Sequence, residues 1–181
     1  MTNKKPSLSN AKQLGIVAGL IVLILLVGLT QLNSYPPLEK TITSALVDRR
    51  GNEMSVAELQ TKDYVLVYFS ASWCPPCRKF TPELVKFYKE HSDTRNFEVV
   101  FVSSDRSRSE MKDYMKKYRM PWLAVKYSSY RTRTRLKKLY GGRGGIPNLV
   151  ILNSSGKVLA SSYKGGSYIG PQKVLERFES L

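Results

Sequence analysis

Histidine is almost absent from this chain of 181 residues, and cysteine occurs only twice, as Cys74 and Cys77. A structural zinc site uses about four ligands, more than two cysteines and the distant His91 supply. Attachment of c-type haem needs a histidine directly after the second cysteine, and that position holds Arg78. A disulfide-stapled secreted domain carries more pairs at wider spacing. Closing a loop as short as C-x-x-C also removes little unfolded-state entropy. Structural stapling, metal binding and inert thiols are therefore weak readings of the pair, and no metal or dissociable cofactor is expected. Acidic residues are scarce too, 14 against 29 Lys+Arg, for a net charge of +15. That excess attracts anionic partners. No nucleic-acid recognition motif accompanies it, so nucleic acid is not an expected partner. At 42% hydrophobic and 24% charged, the composition is globular. The length suits one domain with an appendage.

Charge is missing altogether between Lys12 and Glu39. Within that gap Leu14 to Leu29 is apolar throughout. As helix, these residues rise ~24 Å. With Gln13 and Thr30 to Leu32 the segment reaches the roughly 20 residues that a bilayer core requires. Lys4, Lys5 and Lys12 precede it, so the positive-inside rule places the N-terminus in the cytoplasm. The expected organisation is a basic cytoplasmic tail over 1–13, a transmembrane signal-anchor helix over 14–32, a stem over 33–40 and a domain over 41–181 outside the cytoplasm. A cleaved signal peptide, which would leave a secreted domain, is the rival. The residues that follow lack a clear A-x-A cleavage site. A buried soluble helix is the third reading.

The remaining chain alternates short apolar runs with helical patterns. Ile42 to Val47 has strand character and ends in the turn signal Asp48-Arg49-Arg50-Gly51-Asn52. Tyr64 to Phe69 and Phe97 to Val102 read as buried strands. A helix runs from the cysteine pair to about Glu90. Another spans Ser107 to Arg119, with Met111, Tyr114, Met115 and Tyr118 on one face. Thr132 to Tyr140 forms a basic helix followed by a glycine-rich stretch. Leu149 to Leu152 and Lys157 to Ser161 form a hairpin, and Pro171 opens a closing helix. The order implies an α/β fold with a central mixed sheet and helices on both faces.

Cys74-Pro75-Pro76-Cys77 stands where a buried strand gives way to a helix. Unpaired N–H groups and the helix dipole at that end stabilise a thiolate, which is the attacking species. Cys74 is expected to be the exposed nucleophile. Cys77, at helical spacing, resolves the mixed disulfide. Pro75 and Pro76 suit the first helical positions, where no donor is missed.

The segment Tyr68 to Leu84, YFSASWCPPCRKFTPEL, resembles the active-site segment of tryparedoxins and nucleoredoxins, within the thioredoxin superfamily. The resemblance continues through FEVVFVSSDRS, MPWLAV, RLKKLYG and GIPNLVILNSSGKVL in the family's order, over roughly residues 62 to 160. It implies a thioredoxin-like fold, with Trp73 flanking the nucleophile and Pro82 as the helix-kinking proline. It implies that Pro147 is the cis-proline lying against the disulfide, and that Ile146 offers its backbone to the substrate chain. There are departures. Tyr68 stands where thioredoxins carry a buried acid, so proton transfer at Cys77 needs another group or water, with Asp105 and Glu83 as candidates. The stretch before Ile146 has an extra glycine, and Asn148 stands where threonine is common. A transmembrane anchor is not a feature of cytosolic members.

Arg106 to Arg143 holds thirteen Lys/Arg and only Glu110 and Asp113 as acids. It is a solvated face or a contact surface for acidic proteins or anionic lipid. The leading expectation is a membrane-anchored thiol–disulfide oxidoreductase that reduces disulfides of extracytoplasmic proteins through Cys74 and Cys77. A separate membrane thiol donor would recharge it. The alternatives are an extracytoplasmic oxidase or isomerase, and a non-catalytic tethered binding module.

Overall fold

A computed structural model of the chain describes Thr41–Ile42 and Leu46–Leu181. The chain divides into two compact units, Met1–Tyr35 and Pro36–Leu181. The first, with the expected membrane span, lies outside the described residues. Among the described residues no helix is long and apolar enough to cross a membrane.

Seven strands form one sheet in the order β2-β1-β5-β4-β3-β6-β7. They are β1 (Leu46–Val47), β2 (Glu53–Met54), β3 (Tyr64–Ser70), β4 (Phe97–Ser103), β5 (Leu123–Val125), β6 (Asn148–Asn153) and β7 (Val158–Ser161). β3, β4 and β5 are parallel neighbours, whereas β1 and β6 run antiparallel to the strands beside them. This is the expected mixed sheet.

The longer strands bury both faces, which is why they read as unbroken apolar runs. Alternation sorts their side chains. Leu66, Tyr68, Val99, Phe101, Leu149 and Ile151 join one core cluster. Val65, Val67, Phe69, Val100, Val102 and Val150 join the other. The first cluster is closed by α1 (Pro75–His91), α2 (Arg108–Lys117) and α4 (Gln172–Glu179), through Phe80, Leu84, Met111, Tyr114, Met115, Val174 and Phe178. The second is closed by α3 (Tyr130–Tyr140), through Leu136 and Tyr140, and by the 3-10 helix Val56–Thr61, through Leu59. Met111, Tyr114 and Met115 face inward as their spacing predicts.

Several boundaries differ from the sequence-based expectation. Of Ile42 to Val47, only Leu46–Val47 is a described strand; Ile42 lies outside it and is buried in the second cluster. Ser107 is the N-cap of α2, accepting from the Glu110 amide at 3.1 Å, rather than its first residue. The helix stops at Lys117, and Arg119 turns left-handed at φ 50°. α3 begins two residues earlier than Thr132. Four features were not foreseen: the two-residue β2, the three-residue β5, the 3-10 helix, and the hairpin of β8 (Tyr163–Lys164) and β9 (Ser167–Tyr168). The hairpin had a signal. Gly165 and Gly166 both have positive φ, the conformation a two-residue Gly-Gly turn provides.

Candidate active site

β3 ends at Ser70, and after four residues the chain enters α1 with Cys74 as N-cap and Pro75 and Pro76 in the first turn. Cys74 and Cys77 are joined in a disulfide with their Cα atoms 5.2 Å apart. Cys74 Sγ accepts the Cys77 amide at 3.2 Å, and the Cys74 carbonyl accepts the Arg78 amide at 3.1 Å. The first cysteine therefore satisfies helix-end donors that a Ser or Asp cap satisfies elsewhere. The same donors favour negative charge on its sulfur.

Cys74 was expected to be exposed. It is only 3% accessible, against 0% for Cys77. The sulfurs pack with Ala71 and against Ile146, which shields the nucleophile from one side. Trp73 beside it is 48% exposed and donates its indole N–H to the Ser104 carbonyl at 3.2 Å.

The Ile146–Pro147 bond is cis, and Ile146 O lies 3.7 Å from Cys74 Sγ. The loop before it is held by the β8–β9 hairpin. Tyr163 Oη accepts the Gly145 amide at 2.9 Å, and Tyr168 Oη donates to the Pro147 carbonyl at 2.8 Å. The two rings meet edge-on at 5.3 Å. The extra glycine is explained by this packing. A Cβ at Gly142 or Gly145 would stand 2.4 Å from Tyr163 atoms, and Gly142 also has φ 58°. Asn148, in the place of threonine, donates to the Tyr140 carbonyl at 3.0 Å and ties the end of α3 to β6.

Beneath the disulfide, Tyr68 is fully buried among hydroxyls rather than beside a carboxylate. Thr81 Oγ1 lies 2.8 Å from Tyr68 Oη and 2.5 Å from Tyr114 Oη, and Ser70 Oγ lies 3.1 Å from Tyr114 Oη. Thr81 also donates to the Cys77 carbonyl at 2.8 Å. Burial pushes both phenols up, so they stay protonated and neutral at physiological pH. Thr81, Tyr114 and Ser70 were missed as site residues. The available signal was Thr81 at i+4 from Cys77 on the inward face of α1.

The two candidate proton-transfer acids do not sit in that cluster. Asp105 is buried, but its carboxylate accepts the Ser72 amide at 2.7 Å and the Ser103 hydroxyl at 2.8 Å. It fixes the loop leading into Cys74. Glu83 is exposed on α1 and accepts from Gln172 at 3.3 Å, on the side away from the inward-facing Cys77. Arg78 donates to the Ser72 carbonyl at 2.9 Å, a second brace on the same loop. Among the described residues no three His, Cys, Asp or Glu side chains converge to hold a metal.

Comparison with known proteins agrees with this geometry. The Thioredoxin-like family model matches residues 62–158. Nucleoredoxin of Homo sapiens is 42% identical over 124 residues, 68% of this chain and 28% of nucleoredoxin. The chain thus spans little more than a quarter of that relative. Tryparedoxin of Trypanosoma brucei brucei is 45% identical over 105 residues, 58% of this chain and 70% of tryparedoxin. The solved structure of native tryparedoxin I from Crithidia fasciculata superposes with a TM-score of 0.62 at 38% identity, covering 69% of this chain and 85% of that one. The chain belongs to the thioredoxin-like family, with tryparedoxins and nucleoredoxins as its relatives.

Proposed function

We propose that this protein is a membrane-anchored thiol–disulfide oxidoreductase that reduces disulfides of extracytoplasmic proteins. The observation that carries the redox reading is the Cys74–Cys77 disulfide in the first turn of α1, with Ile146 O 3.7 Å from Cys74 Sγ. The anchor rests on the charge-free apolar run Leu14 to Leu29 behind Lys4, Lys5 and Lys12.

In the reduced enzyme the Cys74 thiolate attacks one sulfur of a substrate disulfide. One S–S bond breaks and another forms, and the released substrate thiolate takes a proton. Cys77 then loses its proton and attacks Cys74 Sγ. The mixed disulfide breaks, the second substrate thiolate is protonated, and Cys74–Cys77 is left oxidised. Two electrons and two protons pass to the substrate. With neutral hydroxyls under Cys77, water accepts its proton. Ile146 and Pro147 line the approach to Cys74, and Trp73 supplies an exposed aromatic surface for the substrate chain. The disulfide is recharged by a separate membrane protein with its own thiol pair, since Cys74 and Cys77 are the only thiols in this sequence.

The test is reduction of a protein disulfide such as those of insulin by the full chain, with a dithiol supplying electrons. Turnover by the natural chain and none by Cys74→Ser is expected. Equal rates would overturn the reading. In cells, loss of the donor shifts the pair to the disulfide. A pair already oxidised in unperturbed cells, and unmoved by any donor deletion, would contradict the reductive direction.

A further inference from the structure

At the end of the sheet away from the disulfide lies a second concave site, built almost wholly from cations. The turn after β1 and the C-terminal half of α2 enclose a groove of about 690 Å³ lined by Arg49, Arg50, Lys112, Asp113, Lys116 and Arg119. Topology places its turn at the end of the sheet opposite the one that carries Cys74. Cys74 follows the carboxyl end of β3, whereas Val47 pairs with Ala124 in antiparallel β1 and the turn continues past the amino end of β5. α2 starts at the carboxyl end of β4 and runs back toward this pole.

Two features set the groove apart from a solvated basic surface. The first is the rigidity of the turn. Asp48 Oδ1 accepts the amides of Arg50, Gly51 and Asn52 at 2.8, 2.7 and 2.9 Å, and Oδ2 accepts from the Asn52 side chain at 2.9 Å. Arg49 and Arg50 are thus presented by a fixed backbone, and Lys112 Nζ lies close over Gly51. The second is Arg119. It follows α2 with φ 50°, a position that glycine occupies without penalty and an L side chain does not. Its side chain lines the groove. Among the described residues none of these five cations is in a salt bridge. Asp113, the one acid, accepts from Ser109.

Five cations and one acid leave an excess of four charges in one concavity. A single phosphate carries roughly −1.5 to −2 and leaves about half of that uncompensated. We propose that this groove binds a ligand bearing two or more adjacent phosphate groups. The shared chemistry is that of adjacent phosphates, free in solution or carried on a lipid headgroup.

The experiment titrates the purified full chain in non-ionic detergent with linear tripolyphosphate and, separately, with inositol 1,4,5-trisphosphate. Saturable one-to-one binding is expected. K112E with K116E removes the charge excess and should weaken it about tenfold or more. The same charge change placed elsewhere, Lys89→Glu with Lys157→Glu, should leave it intact. Arg119→Gly should weaken binding while raising the midpoint of unfolding, a combination that a purely structural residue does not give. Tighter binding of tripolyphosphate assigns the ligand to the free metabolites, and tighter binding of the inositol phosphate assigns it to the lipid headgroup; either upholds the site. No saturable binding of either probe, or equal binding by the natural chain and both groove variants, overturns it. Reduction of a protein disulfide, followed in the same samples, reports separately on the redox site and on folding.

Discussion

Thr81 joins the buried hydroxyl cluster to the helix that carries the cysteines. It meets Tyr68, Tyr114 and the Cys77 carbonyl. Thr81→Val removes the hydroxyl at nearly constant volume and strands buried partners. It should cost about 1–3 kcal/mol in a denaturant titration, whereas Thr81→Ser should cost much less. The cysteines differ in kind. Donors at the start of α1 face Cys74 Sγ, so in the reduced protein Cys74 should alkylate first, with a pKa below the ~8.5 of a free thiol. Alkylation rate against pH measures this, and equal reactivity of the two thiols would reverse the assignment of roles. The cysteines, Trp73 and Pro147 were legible in the sequence because one contiguous motif and one X–Pro step carry them. The hydroxyl cluster was not. It assembles from β3, α1 and α2, and nothing local marks Ser70 or Tyr114 as neighbours of Thr81.

Among the elements, β4 carries an unusual residue. Glu98 is largely buried, and burial pushes its carboxyl up, opposed by the Val99 amide, Lys62 and the Tyr88 hydroxyl. A carboxyl raised in the folded state adds stability below its ordinary value of 4.5. That stability is lost as pH rises through the folded value. Glu98→Gln keeps an acceptor for Tyr88 and removes the charge. It should raise the melting temperature at pH 7, and the gain should vanish below pH 4.5. A gain of the same size at both pH values would show that charge is not the cause. In the loop before β6, Gly142→Ala meets both a left-handed backbone and the Tyr163 ring. It should destabilise by roughly 1–2 kcal/mol from the backbone alone and slow disulfide reduction, since the loop leads to Ile146. Long strands such as β3 and β4 were legible because burial on both faces writes an apolar run. β5 and β2, at two or three residues, are held by the strands they pair with, and no local pattern announces such elements.

For the whole molecule, the asymmetry of charge is the feature most visible from sequence. Arg106 to Arg143 concentrates the basic residues. The fold distributes that segment over α2 on one face of the sheet and α3 on the other. The apolar run Leu14 to Leu29 predicts that Cys74 lies outside the cytoplasm. A membrane-impermeant thiol reagent on intact cells should therefore label the reduced protein, and labelling only after lysis would contradict the topology. The central claim, that Cys74 attacks and Cys77 resolves, is tested most directly by trapping. Full-length Cys77→Ser expressed in cells should accumulate disulfide-linked partners on non-reducing gels, and Cys74→Ser should accumulate few. Equal trapping by the two variants, or trapping by Cys74→Ser alone, would contradict the account.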